Sequence, residues 1–190
     1  MQALHIPCEA LAMKIIIRIK NILLVLLVSI ATQLCASSAS ALPNHTTPAR
    51  TQFPDFELPL IDGSRFIDSQ QFQGTVTVIN YWRSDCPGCI AESQLLNNMA
   101  LQHTQTTFIG VAIDERTRAM RFLTKQPSAY LQTYAPLSQS QLLHRAGNSH
   151  NGLPYTVVLD PQQQICARRL GTLDQTWLEL AIKECQHTTK

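Results

Sequence analysis

The chain has 190 residues, 45% of them hydrophobic and 15% charged, with 15 basic and 13 acidic side chains. Lys14, Arg18, Lys20 and Glu9 fall in the first 41 residues, so the remainder balances at 12 basic and 12 acidic. A neutral remainder of about 150 residues suits one domain with a sizeable core and gives no basis for binding nucleic acid or an anionic membrane surface.

The N-terminal stretch reads as an export signal. Lys14, Arg18 and Lys20 precede an apolar run over residues 22–31, and small residues follow, ending in Ala39-Ser40-Ala41. Charge, a short apolar run and an A-x-A site form the secretory pattern, with Met13 a candidate initiator. Ile15, Ile16, Ile17 and Ile19 lengthen the run, which leaves an uncleaved anchor as the alternative. Cys35 lacks the small preceding residues of a lipidated cysteine, since Thr32-Gln33-Leu34 stands there. Residues 1–41 are thus a signal peptide, 42–52 a polar, proline-punctuated tether, and 53–190 the domain. Asn44-His45-Thr46 fits a glycosylation sequon that is more simply incidental in such a tether.

Along the domain, Phe56–Leu60 and Ser64–Ile67 flank Asp62-Gly63, a hairpin signal. Residues 75–82 form a buried strand, Pro87 to about Gln102 a helix with Ile90, Leu95, Leu96 and Met99 as apolar positions, and 108–113 a second buried strand. Asp114 is placed to cap a helix through Lys125, with Ala119, Phe122 and Leu123 inward. Residues 126–153 carry little pattern beyond a short helix near 140–146, stopped by Gly147-Asn148. Residues 155–159 and 164–168 make a hairpin around Asp160-Pro161. Thr172 and Gln175 read as a capping box for a last helix, with Leu173, Trp177, Leu180 and Ala181 on one face.

Cys86-Pro87-Gly88-Cys89 follows the first buried strand and opens a helix. Unpaired backbone N–H groups and the positive helix end favour a thiolate at Cys86, the cap position. Pro87 suits the first helical position, and Cys89 lies one turn along, within reach of a disulfide. The same spacing serves zinc, but no second Cys or His pair stands at ligand spacing. Cys166 and Cys185 remain; with an even cysteine count in an exported chain they are either a second disulfide or two buried thiols.

The order of elements around Trp82-Arg83-Ser84-Asp85-Cys86-Pro87-Gly88-Cys89 resembles the thioredoxin fold, and more closely the exported TlpA/ResA-like thiol–disulfide oxidoreductases, over about residues 53–183. Phe56-Glu57-Leu58-Pro59-Leu60-Ile61-Asp62-Gly63 is similar to that family's N-terminal hairpin, Glu92 to its carboxylate after the second cysteine, Gly152-Leu153-Pro154 to its cis-proline loop, and Gly171 to the close of its second hairpin. The resemblance implies an α/β, thioredoxin-like fold: a central mixed sheet flanked by helices, with an N-terminal β-hairpin extension. Three departures stand out. Asp85 occupies a position that is usually aromatic and sets a negative charge beside Cys86. Asn80 replaces the buried Asp of thioredoxins, leaving Glu92 as the available proton acceptor. Pro-Gly reverses the usual Gly-Pro.

On this reading Cys86 attacks a substrate disulfide and Cys89 resolves the mixed disulfide. Glu92 exchanges the Cys89 proton, or is a solvated helix-face acid. Leu153 and Pro154 offer backbone to an extended substrate, Trp82 packs under the turn and contributes to the substrate site, and His150 is a surface loop residue. The function expected is reduction of periplasmic protein disulfides, fed by a membrane thiol-electron transporter, with apocytochrome c one plausible substrate class and no cofactor or metal. A disulfide oxidase or isomerase, a Cu(I)-handling module and a thiol peroxidase are the alternatives.

Overall fold

The structure is a computed structural model and describes residues 51–135 and 141–187. The signal, the anchor alternative, Cys35, Asn44 and most of the tether lie outside the described residues. Among the described residues no helix is long and apolar enough to cross a membrane.

The elements in order are β1 (Thr51–Gln52), β2 (Glu57–Pro59), β3 (Phe66–Asp68), a 3-10 turn (Ser69–Phe72), β4 (Val76–Trp82), α1 (Pro87–Gln102), β5 (Thr106–Ile113), α2 (Arg116–Lys125), β6 (Leu131–Ala135), α3 (Gln141–Arg145), β7 (Tyr155–Leu159), β8 (Gln164–Leu170) and α4 (Gln175–Gln186). Six strands form one sheet in the order β1-β8-β7-β4-β5-β6. β4, β5 and β6 run parallel, while β7, β8 and β1 pair antiparallel. β2 and β3 form the separate N-terminal hairpin. Gly63 closes it at φ 76, a left-handed conformation that a side chain resists, and Ser64 N–H donates to Asp62 Oδ1 at 2.8 Å. Thr51 and Gln52, at the end of the stretch read as tether, pair with Ile165 and Gln164.

Every residue of β4 is buried, as expected for a central strand covered on both faces. Val76 and Val78 join Leu96 and Met99 of α1 and Leu178, Ala181, Ile182 and Cys185 of α4 on one side. Ile79 and Tyr81 join the hairpin residues Leu58 and Ile67 and Leu143 of α3 on the other.

Several local readings change. β6 emerges in the stretch with little pattern. Asp114 does not cap α2; Glu115 holds the cap position with no side-chain bond, and Asp114 turns inward. Asp174, not Thr172, caps α4, accepting from Trp177 N–H at 2.8 Å. The helix therefore starts later than the capping box implied, and Leu180 points outward, 61% exposed. Ile90 also faces out, and Cys89 and Glu92 take inward places on α1 instead.

Candidate active site

The C-terminal end of β4 delivers the chain to the site. A turn closes where Cys86 N–H donates to Arg83 carbonyl at 3.3 Å, and Ile90 N–H then meets Cys86 carbonyl at 3.1 Å. Cys86 is the N-cap of α1, extended at φ −95 and ψ 112, with Pro87 in the first helical turn. Its sulfur accepts from Cys89 N–H at 3.2 Å, one of the orphan donors of a helix end. The two cysteines are bonded, with Cα atoms 5.2 Å apart. Cys86 is half-buried and Cys89 is buried, so the first cysteine is the more accessible.

The Leu153–Pro154 peptide is cis. Pro154 lies against the helix opening: a Cβ on Gly88 would stand 3.0 Å from Pro154 Cδ and 3.0 Å from Thr172 Oγ1. The reversed Pro-Gly order thus lets the α1 backbone approach this loop. Asn148 holds the preceding segment, donating to Gly152 carbonyl at 2.7 Å and accepting from Gly152 N–H at 3.3 Å. Among the described residues Leu153 N–H and carbonyl have no hydrogen-bond partner. Arg83, Asp85, Cys86, Pro87, Asn151 and Leu153 line a groove of about 340 Å³. A larger groove of about 770 Å³ runs along β6 and contains no cysteine.

Glu92 is 1% exposed, which removes the solvated-surface reading. Its Oε1 accepts from Asn80 Nδ2 at 2.7 Å and its Oε2 from Leu173 N–H at 2.8 Å. Asn80 also donates to Thr156 Oγ1 at 3.0 Å. Burial pushes the Glu92 pKa up, while the Leu173 and Asn80 bonds and the Arg169 charge pull against it. Trp82 is 5% exposed. It reaches the cysteine turn from below, donating to Gln132 Oε1 at 3.0 Å and packing on Phe122 at 5.3 Å. It supports the turn and offers no face to a substrate, a correction to its place among the substrate-binding residues. A cavity of about 20 Å³ behind Cys89 is bounded by Asn80, Trp82, Tyr130 and Gln132.

Asp85 is not a bare charge. Arg83 grips it with two bonds, Nε to Oδ1 at 2.9 Å and Nη2 to Oδ2 at 2.6 Å, and Arg118 Nη1 stands 3.7 Å from Oδ2. The Arg83 bond holds the Asp85 pKa below its ordinary value. Buried Asp114 accepts from Ser84 N–H at 3.0 Å and from the Ser84 hydroxyl. The sequence reading missed this clamp, along with Gln132 and Asn148. Only Asp114, an acid closing a buried strand, carried a signal, and it was read as a cap. Away from this site, Cys166 of β8 and Cys185 of α4 form a second disulfide, with Cα atoms 5.9 Å apart. His150 bonds Ser149 in an exposed loop.

A thioredoxin-like sheet that presents a Cys-x-x-Cys disulfide at a helix N-terminus defines a thiol–disulfide oxidoreductase. The chain belongs to the AhpC/TSA family, which it matches over residues 49–183. It is 28% identical over 153 residues to the thiol:disulfide interchange protein DsbE of Vibrio cholerae, covering 78% of this chain and 81% of that one. It is 29% identical over 131 residues to the DsbE of Allochromatium vinosum, covering 66% and 69%. Among solved structures, a thioredoxin-family thiol:disulfide interchange protein from Chlorobium tepidum superposes with a TM-score of 0.63 at 18% identity, over 72% of this chain and 96% of that one. A secreted thiol-disulfide isomerase from Corynebacterium glutamicum gives 0.63 at 24% identity, over 72% and 86%. These two likenesses concern the fold.

Proposed function

We propose that the protein is an exported reductase of protein disulfides, working in the periplasm with Cys86 as nucleophile. The observation that carries this is the asymmetry of the cysteine pair: Cys86 opens on a groove at a helix N-terminus while Cys89 is buried behind it. In the dithiol form, the Cys86 thiolate attacks one sulfur of a substrate disulfide. A Cys86–substrate bond forms, the substrate S–S bond breaks, and the released thiolate takes a proton. Cys89 then gives its proton to Glu92, one turn along the same helix, and attacks Cys86 sulfur. The second substrate thiol leaves with a proton. Two electrons have passed to the substrate, and the enzyme holds the Cys86–Cys89 disulfide.

The unpartnered backbone of Leu153 suits pairing with an extended substrate strand across the groove, next to Pro154. Electrons return from a membrane thiol-electron transporter, and the haem-attachment cysteines of apocytochrome c are a fitting substrate class, as the resemblance to the TlpA/ResA-like oxidoreductases implies. The test is insulin reduction, run with and without peroxide, together with the redox equilibrium of the Cys86/Cys89 pair against glutathione. A potential more negative than about −180 mV supports the reductase. A value on the oxidising side of that, or turnover only with peroxide, overturns it.

A further inference from the structure

We propose that Arg83 and Asp85 act as a self-cancelling charge pair that sets how stable the Cys86 thiolate is, and with it the redox balance of the Cys86–Cys89 couple. This rests on the reading of Cys86 as the attacking sulfur. Asp85 directly precedes the cap cysteine, and both Arg83 and Asp85 line the groove onto which Cys86 opens. A lone carboxylate there opposes the helix end and disfavours the thiolate. A lone guanidinium there favours it. The structure has neither alone, because both Arg83 bonds go to Asp85.

The pairing is built into the backbone. Ser84, between the two residues, is held by buried Asp114 through its N–H at 3.0 Å and its hydroxyl. The turn closes from Cys86 N–H to Arg83 carbonyl at 3.3 Å. Arg83 and Asp85 therefore leave the clamp on one side, within two-bond reach of each other. Helix α2 faces the same turn with Glu115 and Arg118, and Arg118 divides itself among Asp85 at 3.7 Å, Asp114 at 3.5 Å and Glu115 at 3.3 Å. It is thus already committed to three carboxylates. Glu92 lies inside, against Asn80 and Leu173. Arg83 is the cation whose position depends most directly on Asp85.

Both side chains are partly exposed, at 36% and 45%, so each charge acts through water-rich surroundings. One unbalanced charge at this range moves a thiol pKa by about half a unit, and less in high salt. Asp85→Asn removes a repulsion and also frees Arg83 to turn toward the sulfur. Arg83→Gln leaves the carboxylate facing it. The two changes should move the thiolate in opposite directions.

The experiment uses the full chain as wild type, Arg83→Gln, Asp85→Asn and the double variant. Two quantities are read at low salt. The first is the pH dependence of alkylation of the reduced protein, with the modified cysteine identified by peptide mapping. The second is the equilibrium, read above that midpoint, in which protein disulfide and two glutathione thiols give the Cys86 thiolate, the Cys89 thiol, glutathione disulfide and one released proton, a two-electron exchange. Asp85→Asn should lower the alkylation midpoint by about half a pH unit and favour the dithiol roughly threefold, which is about 14 mV for a two-electron couple. Arg83→Gln should do the reverse, and the double variant should lie close to wild type. Variants indistinguishable from wild type would make the pair an inert surface bridge and overturn the proposal. Both single changes moving the midpoint the same way would mean a disturbed turn and would overturn it too. Modification that maps to Cys89 in the wild type would instead overturn the reading of Cys86, a separate failure.

Discussion

The two disulfides of this domain differ in what surrounds them more than in what they close. Cys86 and Cys89 are three residues apart, and Cys166 and Cys185 nineteen. Loop-closure entropy alone credits them with about 2 and about 3 kcal/mol, too small a gap to make one reactive and the other inert. The environments differ far more. Cys86 follows the turn after β4, caps a helix and faces a groove between Arg83 and Leu153. Cys185 is fully buried among Leu178, Ala181 and Ile182 against the sheet, and Cys166 Sγ lies 3.4 Å from Val158 carbonyl. Thiol exchange needs in-line approach of a thiolate to an accessible sulfur. In one fold, helix placement has made one pair available for exchange and enclosed the other.

The sharpest break of this comparison is removal of single sulfurs. Cys86→Ser should abolish mixed-disulfide formation, and Cys89→Ser should accumulate it, because nothing resolves it. Non-reducing gels with a disulfide substrate show which occurs. If Cys166→Ser abolished exchange in the folded protein as completely, the second pair would belong to the electron path.

The next effect is on stability. Replacing both Cys166 and Cys185 by Ser should lower unfolding free energy by about 3 kcal/mol, read by denaturant titration, while the insulin-reduction rate per folded molecule stays the same. Free thiols at both positions in the oxidised wild type would refute a structural role for the Cys166–Cys185 bond.

A smaller effect comes from the contact of α1 with the Pro154 loop. Gly88→Val places a branched side chain where a Cβ already meets Pro154 and Thr172 at 3.0 Å. Displacing that loop should slow exchange at Cys86 by roughly tenfold and leave the Cys166–Cys185 bond intact. An unchanged rate would show that the loop yields freely.

The legibility of this chain follows from which residues carried local signals. The turn Asp62-Gly63, the Cys-x-x-Cys after an apolar run, and Gly147 at φ 90 after α3 each encode backbone demands within a few residues. β6 was invisible because its buried positions include Gln132 and Thr133. Their polar atoms are met by Trp82 and the Gly110 carbonyl, both distant in sequence, and by Ser128 just before the strand, so a strand reads as a loop. Asp114 had the composition of a cap but is claimed by Ser84, 30 residues earlier. The face of α4 shifted because the cap is Asp174, so Ile182 and Cys185 replace Leu180 in the core. At the site, the cysteines were legible from their spacing, and the proline loop from the resemblance to the TlpA/ResA-like oxidoreductases. The Arg83 grip on Asp85 was not, because it depends on how the turn folds.

The subtlest difference between the two pairs is that the first has a buried acid one turn along its own helix. Glu92 holds its proton to higher pH in the fold than in the unfolded chain, since burial raises its pKa above the ordinary 4.5. The folded state therefore binds more protons. The stability this provides is complete below the ordinary range and is lost as pH rises from about 4.5 through the raised value. Glu92→Gln stays neutral throughout and should escape that loss, so its stability relative to wild type should improve with pH across this window. The substitution can be accommodated. One amide oxygen keeps Leu173 N–H, and an Asn80 amide flip turns its oxygen toward the new N–H₂ group while still pairing with the Thr156 hydroxyl. Below the window the cost should thus stay near or under about 1 kcal/mol. The same variant cannot take the Cys89 proton, so the resolving step should lose its pH dependence through the Glu92 range. Denaturant melts across pH and single-turnover release from a Cys86 mixed disulfide measure the two effects separately. A shifted stability profile with an unchanged release profile would leave Glu92 a buried structural acid and assign the proton of Cys89 to solvent.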